Sequence, residues 1–287
     1  MVVNTNNSSL ITNEALKNNS NRLNSSLEKL SSGYRVNKAS DNASGLTIAD
    51  QLRTQATSLN QSVENGNIAV TFLQIADKAM AEQSNILDTI KAKLIQAKTA
   101  TTSDQGRTAI AKDIAKLLTQ LDNIAASANY NDEGEQYMLQ ASHDDQSPAG
   151  SFSFQLGEKA VNTIDLPEGV VQANTVGLDL VDLKGFQSSD ELTQDVAGAM
   201  MEKIDNALDQ LNLWRSDYGS AQLQVQASTR NMMTGAMNIL DSESVIRDVN
   251  YANESANFSQ ENIINKTGTY ALVQANANTN KALQLLR

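Results

Sequence analysis

Apolar residues recur at helical spacing near both ends of the chain and form one narrow stripe in each stretch. In the first stretch, from Leu10 to Leu30, the stripe consists of leucines seven residues apart, widened by a fourth leucine: Leu16, Leu23, Leu30 and Leu27. In the last stretch, from Gln260 to Arg287, the steps are three and four: Leu272, Ala275, Thr279, Ala282 and Leu286. Positions three or four apart share one face of a helix, so each stretch predicts an amphipathic helix. Neither stripe can cover itself, and we expect the terminal helices to pair with each other and with other copies.

The longest periodic segment runs from Leu46 to about Thr99 and predicts a single helix roughly 75 Å long. One four-three stripe follows it through four heptads: Ala69, Leu73, Ala76, Met80, Gln83, Leu87, Ile90, Leu94 and Ala97. A helix of that length must lie along other helices to be stable.

The segments on either side of the middle of the chain are predicted to fold back along the long helix. Ser103 or Asp104 can cap a third helix, from Thr108 to Ala128, which should run antiparallel to the long one. Helical periodicity resumes at about Ser189. We expect a break at Asp241–Ser244, and a weak point at Gly268.

The middle, from Asn129 to Phe186, has a different composition, with six of the fourteen glycines, both prolines and the only histidine. Apolar and polar residues alternate at 152–156 and 161–166, which predicts the two strands of a hairpin. Residues 176–183 are a weaker candidate for a third strand.

The predicted fold class is mainly α: a long antiparallel helical rod with terminal coiled-coil helices and a small β-hairpin element at one tip. Residues 1–44 should form an N-terminal helix and connector, and residues 241–287 a C-terminal helix. Between them, 45–240 should form the rod, with its β tip at about 130–187. On their own, the heptad stripes fit an ordinary intramolecular bundle equally well.

Composition and charge indicate which kinds of molecule this protein can bind. Only 4% of residues are aromatic, which suits thin seams between helices. A net charge of −11 disfavours nucleic acid and anionic membrane surfaces as partners. No apolar run is long enough to span a membrane, and the first 15 residues lack the pattern of a secretory signal. We therefore expect any export to proceed without a cleaved signal peptide.

The sequence offers little for catalysis, and we expect no enzyme activity, no cofactor and no metal site. There is no cysteine, and His143 is the only histidine, which argues against a zinc site or a Ser-His triad. The acidic pairs at 132–133 and 144–145 are interpreted as solvated loops. No glycine-rich phosphate loop occurs.

Five motifs resemble those of bacterial flagellins and stand in the same order. Three lie in the first half: Ser31–Asn37, Asp41–Ala49 and Asn65–Ile68. Two lie near the end: Ser242–Ala252 and the leucine-leucine-arginine terminus at Leu283–Arg287. The resemblance covers about 1–135 and 190–287.

This resemblance implies a fold, a function and partners. The terminal helices in 1–44 and 241–287 would be inner-core helices that form the innermost coiled-coil layer of a filament, and the short middle indicates a minimal flagellin without outer variable domains. The chain would be a structural subunit of the flagellar filament for swimming motility, secreted and polymerising with itself. Further implied partners are the hook-junction and cap proteins, a flagellar export chaperone and the type III export apparatus. An alternative function is an adaptor protein at the hook–filament junction.

The resemblance also identifies a stretch equivalent to the site that the toll-like flagellin receptor of vertebrates recognises. It comprises seven residues of the long helix: Leu87, Asp88, Thr89, Ile90, Lys91, Ala92 and Lys93. Sensed flagellins carry an arginine and a glutamate where this chain has Thr89 and Ala92. Loss of the guanidinium should remove an interaction hot spot, so we expect weak receptor activation or none.

Overall fold

The computed structural model describes residues 6–128, 139, 152–159, 161–165, 171–186 and 192–285, with the backbone alone at 279, 280 and 282–285. The prediction of a mainly α protein is confirmed. In chain order the elements are α1 (Asn7–Ser32), α2 (Ala43–Lys98), α3 (Asp104–Ser127), β1 (Ser153–Gln155), β2 (Thr163–Asp165), α4 (Val181–Gly185), α5 (Gln194–Arg247) and α6 (Tyr251–Leu285).

Two compact units divide these elements between them. The first combines the two ends of the chain, Met1–Thr57 and Ala236–Arg287. The second is Ser58–Gly235. The helices α2 and α5 each contribute residues to both units, while α1 and α6 belong to the first unit only.

The helix ends follow local capping chemistry. The side chain of Ser103 caps α3 by accepting a hydrogen bond from the Gly106 amide at 3.2 Å, which confirms one of the two predicted caps. α1 ends at Gly33, whose φ of 78° is the left-handed conformation that glycine adopts at least cost.

The core of the second unit is the stripe predicted on the long helix. All nine residues of that stripe are fully buried: Ala69, Leu73, Ala76, Met80, Gln83, Leu87, Ile90, Leu94 and Ala97. Residues of α3 and α5 join them in one core, with Ile114 and Ile204 among the most buried.

α3 and α5 both run antiparallel to α2. Lys93 and then Gln83 of α2 contact Asp113 and then Leu121 of α3, so the contacts advance in opposite directions along the two helices. The pairs Lys91–Asp205 and Asp77–Arg215 show the same order between α2 and α5. The predicted antiparallel return of the third helix is therefore confirmed.

The predicted hairpin is also present. β1 and β2 pair antiparallel, with Phe154 opposite Ile164. Phe72 of α2 contacts the hairpin segment through Phe152 and Phe154, with ring centroids 4.6 and 5.5 Å apart. The weaker third candidate, Val176–Leu183, was wrong, because this segment forms turns followed by α4. Its chain reverses where the Gly177 amide donates to the side chain of Asn174 and where Asp179 adopts a φ of 54°.

The expected interruption of the helix at Asp241–Ser244 is wrong. α5 passes through Asp241–Ser244 and continues to Arg247, since the hydroxyl of Ser242 donates to the Asn238 carbonyl and Glu243 pairs with Arg247 one turn later. α6 likewise continues through Gly268.

Candidate assembly interface

α1 and α6 form an antiparallel pair in the first unit. Near the start of α1, Asn6 donates to the carbonyl of Ala275 at 3.2 Å. Further along, the Asn19 amide donates to the carbonyl of Glu261 at 2.8 Å, and the Ser26 hydroxyl donates to the carboxylate of Glu254. Residues progressively later in α1 therefore contact residues progressively earlier in α6, as in an antiparallel pair. The expectation that the terminal helices pair with each other is met within one chain.

We call the contact between α1 and α6 the seam. The predicted leucine stripe of α1 supplies only part of its α1 side. Leu16, Leu23 and Leu30 are partly buried, whereas Leu27 remains 49% exposed. The most buried residues of α1 are polar, namely Asn19 at 8% and Ser26 at 4% exposure. Sequence reasoning missed them because it followed apolar residues alone, although the spacing 16, 19, 23, 26, 30 marks both as heptad core positions.

The α6 side of the seam extends upstream of the predicted stripe. Leu272 and Ala275 are partly buried, as are residues at the same spacing before them: Glu254, Phe258, Glu261, Asn265 and Gly268. A Cβ placed on Gly268 would lie 2.9 Å from a methyl carbon of Leu16, so the absence of a side chain there makes room for that leucine. The predicted interface residues Ala282 and Leu286 lie outside the described side chains.

Large apolar side chains remain exposed on both paired helices. On α1 they are Leu10, Ile11 and Leu27, and on α6 they are Tyr251, Ile263, Ile264, Tyr270 and Val273. Pairing therefore covers one side of each helix and leaves apolar surface on the remainder. Apolar surface of this extent is typical of a protein that associates with another surface.

The connector after α1 is joined to the junction between α5 and α6. The amide of Arg35 donates to the Arg247 carbonyl at 2.6 Å, and the amide of Val249 donates to the Gly33 carbonyl at 2.9 Å. The Arg35 guanidinium donates to the carbonyl of Ile246 at 2.7 Å, near the end of α5. We call the contact between 33–36 and 245–251 the junction clamp.

Arg247 is the charged centre of the junction clamp. Its guanidinium carbon lies 4.3 Å from the centre of the Tyr34 ring, and a terminal nitrogen lies 3.4 Å from the Glu243 carboxylate and 3.8 Å from that of Asp50. Two of the motifs quoted from the sequence, Ser31–Asn37 and Ser242–Ala252, are thus brought into direct contact although more than two hundred residues separate them.

The receptor-equivalent stretch lies in the second unit and is only partly accessible. Leu87 and Ile90 are fully buried in the core, while Asp88, Thr89 and Ala92 are exposed. Both lysines are engaged within the chain, since Lys91 pairs with Asp205 and Lys93 with Asp113. The stretch therefore exposes the Asp88 carboxylate, the Thr89 hydroxyl and the Ala92 methyl, while both of its cations are already paired.

Comparison with known proteins gives the family. The model of the bacterial flagellin N-terminal helical region matches residues 3–144, and that of the C-terminal helical region matches residues 201–286. The chain belongs to the bacterial flagellin family. Flagellins are structural proteins of a homopolymeric filament, so this chain has a structural and not an enzymatic role.

Some flagellin relatives match this chain from end to end. The flagellar filament 30.7 kDa core protein of Treponema maltophilum and flagellin FlaB1 of Treponema pallidum are each 29% identical, over the whole of both chains. Flagellin B of Helicobacter pylori is 38% identical over 70% of this chain, which corresponds to 37% of its own length. A Vibrio parahaemolyticus structure described as a flagellar hook-associated protein shares the fold, with a TM-score of 0.56 over 72% of this flagellin and 99% of that chain, at 12% identity.

The described part of the chain contains neither a metal site nor a membrane-spanning helix. Among the described residues, no three histidine, cysteine or acidic side chains converge as a metal site would require. Within the same residues, no helix combines the length and apolarity needed to cross a membrane.

Proposed function

We propose that this flagellin is the repeating subunit of a flagellar filament and that its terminal helices carry the assembly contacts. Its full-length relatives are named as filament core proteins, which supports the first part. The observation that carries the second part is the exposed apolar surface on α1 and α6, which a filament would cover with the same helices of neighbouring copies. Contacts between copies that do not close into a ring extend as an open helix, which is a filament.

The terminal helices are proposed to fold when they assemble. The seam between α1 and α6 is thin, because Asn19, Ser26 and Gly268 occupy core positions that a stable isolated pair would fill with apolar side chains. Ordering costs about 1–2 kcal/mol per residue, which this seam alone offsets poorly. In the filament, each leucine or isoleucine newly buried would contribute about 1.5–3 kcal/mol. Folding of the terminal helices and association of the subunits are then one event.

The predicted domain roles follow from this mechanism. Residues 1–44 and 241–287 would form the inner layer of the filament, and 45–240 the layer around it. The predicted interface residues Leu16, Leu23, Leu27, Leu30, Leu272, Ala275, Ala282 and Leu286 would lie in the inner layer. Among them, Leu27 offers an exposed side chain directly to a neighbour.

Export is proposed to use the flagellar type III apparatus. Terminal helices that fold only on assembly can pass unfolded through a narrow channel. A dedicated chaperone would bind the C-terminal segment 260–287, since the apolar face of that segment is uncovered before assembly. Deleting 260–287 should abolish chaperone binding, and undiminished binding by the shortened chain would disprove this assignment. Filament cap and hook-junction proteins would contact the same terminal surfaces at the two ends of the filament.

Weak or absent activation of the toll-like flagellin receptor is proposed for the stretch 87–93. Thr89 and Ala92 offer no charged group, and Lys91 and Lys93 are already paired with Asp205 and Asp113. A receptor reporter assay with monomeric protein tests this. A response equal to that of a sensed flagellin would contradict it.

Seeded polymerisation tests the proposed function directly. Purified monomer is added to filament fragments, and the full-length chain is compared by electron microscopy with a variant lacking 260–287. Long filaments from the full-length chain alone are the expected result. Growth that stops after one added layer would instead indicate the junction-adaptor function, for which we see no comparable support among the full-length relatives.

A further inference from the structure

Two rows of exposed charge lie on different helices of the second unit. The basic row is on α3 and consists of Lys112 and Lys116, and the acidic row is on α5 and consists of Asp195, Glu202 and Asp209. None of these five side chains forms an ion pair in the part of the chain that the structure describes. Most other charges on these helices form ion pairs, so the two rows stand out as exposed charge outside the described ion pairs, although Lys116 lies near enough to Asp113 to add to the effect of Lys93 in lowering the pKa of that carboxyl.

Both rows point away from the core of the unit. A helix turns about 100° per residue, so positions two apart lie about 200° apart around its axis. Lys112 and Lys116 each stand two positions from the buried Ile114. Glu202 stands two positions before the buried Ile204, and its acidic neighbours follow at intervals of seven, which keeps them on the same side.

The two rows also lie at the same height along the unit. Lys93 of α2 binds Asp113 of α3 at 2.9 Å, and Lys91, two residues earlier on α2, binds Asp205 of α5. The two aspartates are therefore level to within about one helical turn, 5.4 Å. Asp113 lies between the two lysines of the basic row, as Asp205 lies between Glu202 and Asp209 of the acidic row.

We propose that the basic row of α3 in one subunit binds the acidic row of α5 in the next subunit of the filament. The proposal rests on the filament function above and adds a specific lateral contact in the second unit. Because the cations and anions are on different helices, each added copy keeps one free row, and addition can continue without closing on itself. Asp195 to Asp209 spans about 21 Å, so both lysines can meet acidic partners over a range of axial offsets.

Charge reversal followed by restoration tests this contact. Lys112→Glu with Lys116→Glu leaves both rows acidic, and Glu202→Lys with Asp209→Lys makes two of the three positions of the acidic row basic. Each pair should raise the critical monomer concentration for growth from seeds about tenfold, because repulsion replaces attraction at two positions. The chain with all four changes has the charges exchanged at these two pairs of positions, with Asp195 unchanged, and should grow within about twofold of the unchanged chain. Because the side chains are exposed and form no described ion pair, the thermal unfolding of each monomer should be unaffected.

The control is Lys78→Glu with Lys98→Glu, which makes the same change in net charge at exposed, unpaired lysines of α2. It should grow as the unchanged chain does. Equal impairment of this control, or failure of the four-residue exchange to restore growth, would overturn the contact while leaving the filament function intact. Failure of the unchanged chain to extend the seeds would overturn the filament function, and the contact with it.

Discussion

Replacing Gly66 by alanine should destabilise the second unit, because α2 and α5 approach each other closely at this residue. A Cβ on Gly66 would lie 2.2 Å from the hydroxyl oxygen of Thr229 and 3.2 Å from a methyl of Leu156. The Thr229 hydroxyl cannot swing aside freely, since it donates to the Val225 carbonyl at 2.8 Å. The added carbon must therefore push the helices apart or break that hydrogen bond.

The expected magnitude combines two opposing effects. Overpacking costs about 1–3 kcal/mol, and an overlap as severe as 2.2 Å belongs at the upper end of that range. Alanine in place of glycine within a helix returns up to about 1 kcal/mol. The net loss should be about 2 kcal/mol, which lowers the melting temperature of a unit of this size by about 4–8 °C.

A second glycine provides a matched control. Gly219 lies within α5 as Gly66 lies within α2, but a Cβ there would meet nothing within 4 Å. Gly219→Ala should therefore stabilise by about 0.5–1 kcal/mol through helix propensity alone. The double change Gly66→Ala with Thr229→Ala removes the conflicting hydroxyl and leaves Cβ atoms at an ordinary separation of about 3.4 Å, so its stability should return to that of the unchanged protein.

Thermal unfolding of the monomer, followed by circular dichroism, measures all three variants. The reasoning is refuted if Gly66→Ala stabilises the protein as Gly219→Ala does. It is also refuted if Thr229→Ala leaves the defect of Gly66→Ala in place, because the cost would then arise elsewhere.

Three further predictions address assembly and pH. Gly268→Leu should lower the temperature at which filaments disassemble without changing the unfolding of the second unit, because its side chain needs the space that Leu16 fills; an equal effect on the monomer would contradict this. Leu27→Ser should leave monomer stability unchanged but raise the critical concentration for growth at least about tenfold, from lost burial of about 1.5–3 kcal/mol; unaltered growth would remove Leu27 from the interface. Burial raises the pKa of Tyr218 to about 12, while the unfolded tyrosine ionises near 10. The unfolded state therefore loses its proton first, and stability should fall as pH rises from about 10 to 12. Melting curves across that range should show a smaller loss for Tyr218→Phe, and identical losses would show that the Tyr218 hydroxyl is not responsible.

The sequence predicted the helices well where a helical apolar period continued over many turns. The stripe from Ala69 to Ala97 is buried throughout because every member faces one shared core, and this includes the polar Gln83. Its amide nitrogen donates to the carbonyls of Leu121 and Ala173, which satisfies the donors of this buried side chain and explains why a polar residue fits the stripe, although its amide oxygen has no partner among the described residues. The hairpin was found from alternation alone, since no competing helical period exists there.

The failures have equally specific causes. A polar run such as Asp241–Ser244 looks like a break, but without glycine or proline its side chains bond along the helix and allow it to continue. Asn19 and Ser26 were missed because only apolar residues were followed, and the α6 acceptors that make their burial possible lie more than two hundred residues away. The junction clamp could not be derived from spacing for the same reason. Its residues were noted only through motifs, which say nothing about what each residue contacts.

The central claim is that the terminal helices fold when the filament forms. Amide hydrogen exchange within α1 and α6, compared between monomer and filament, tests it most directly. We expect these amides to exchange rapidly in the monomer, while those of the buried α2 core remain protected, and to become protected in the filament. Strong protection of α1 and α6 in the monomer, equal to that in the filament, would show that the pair is stable by itself and would contradict the coupling of folding to assembly.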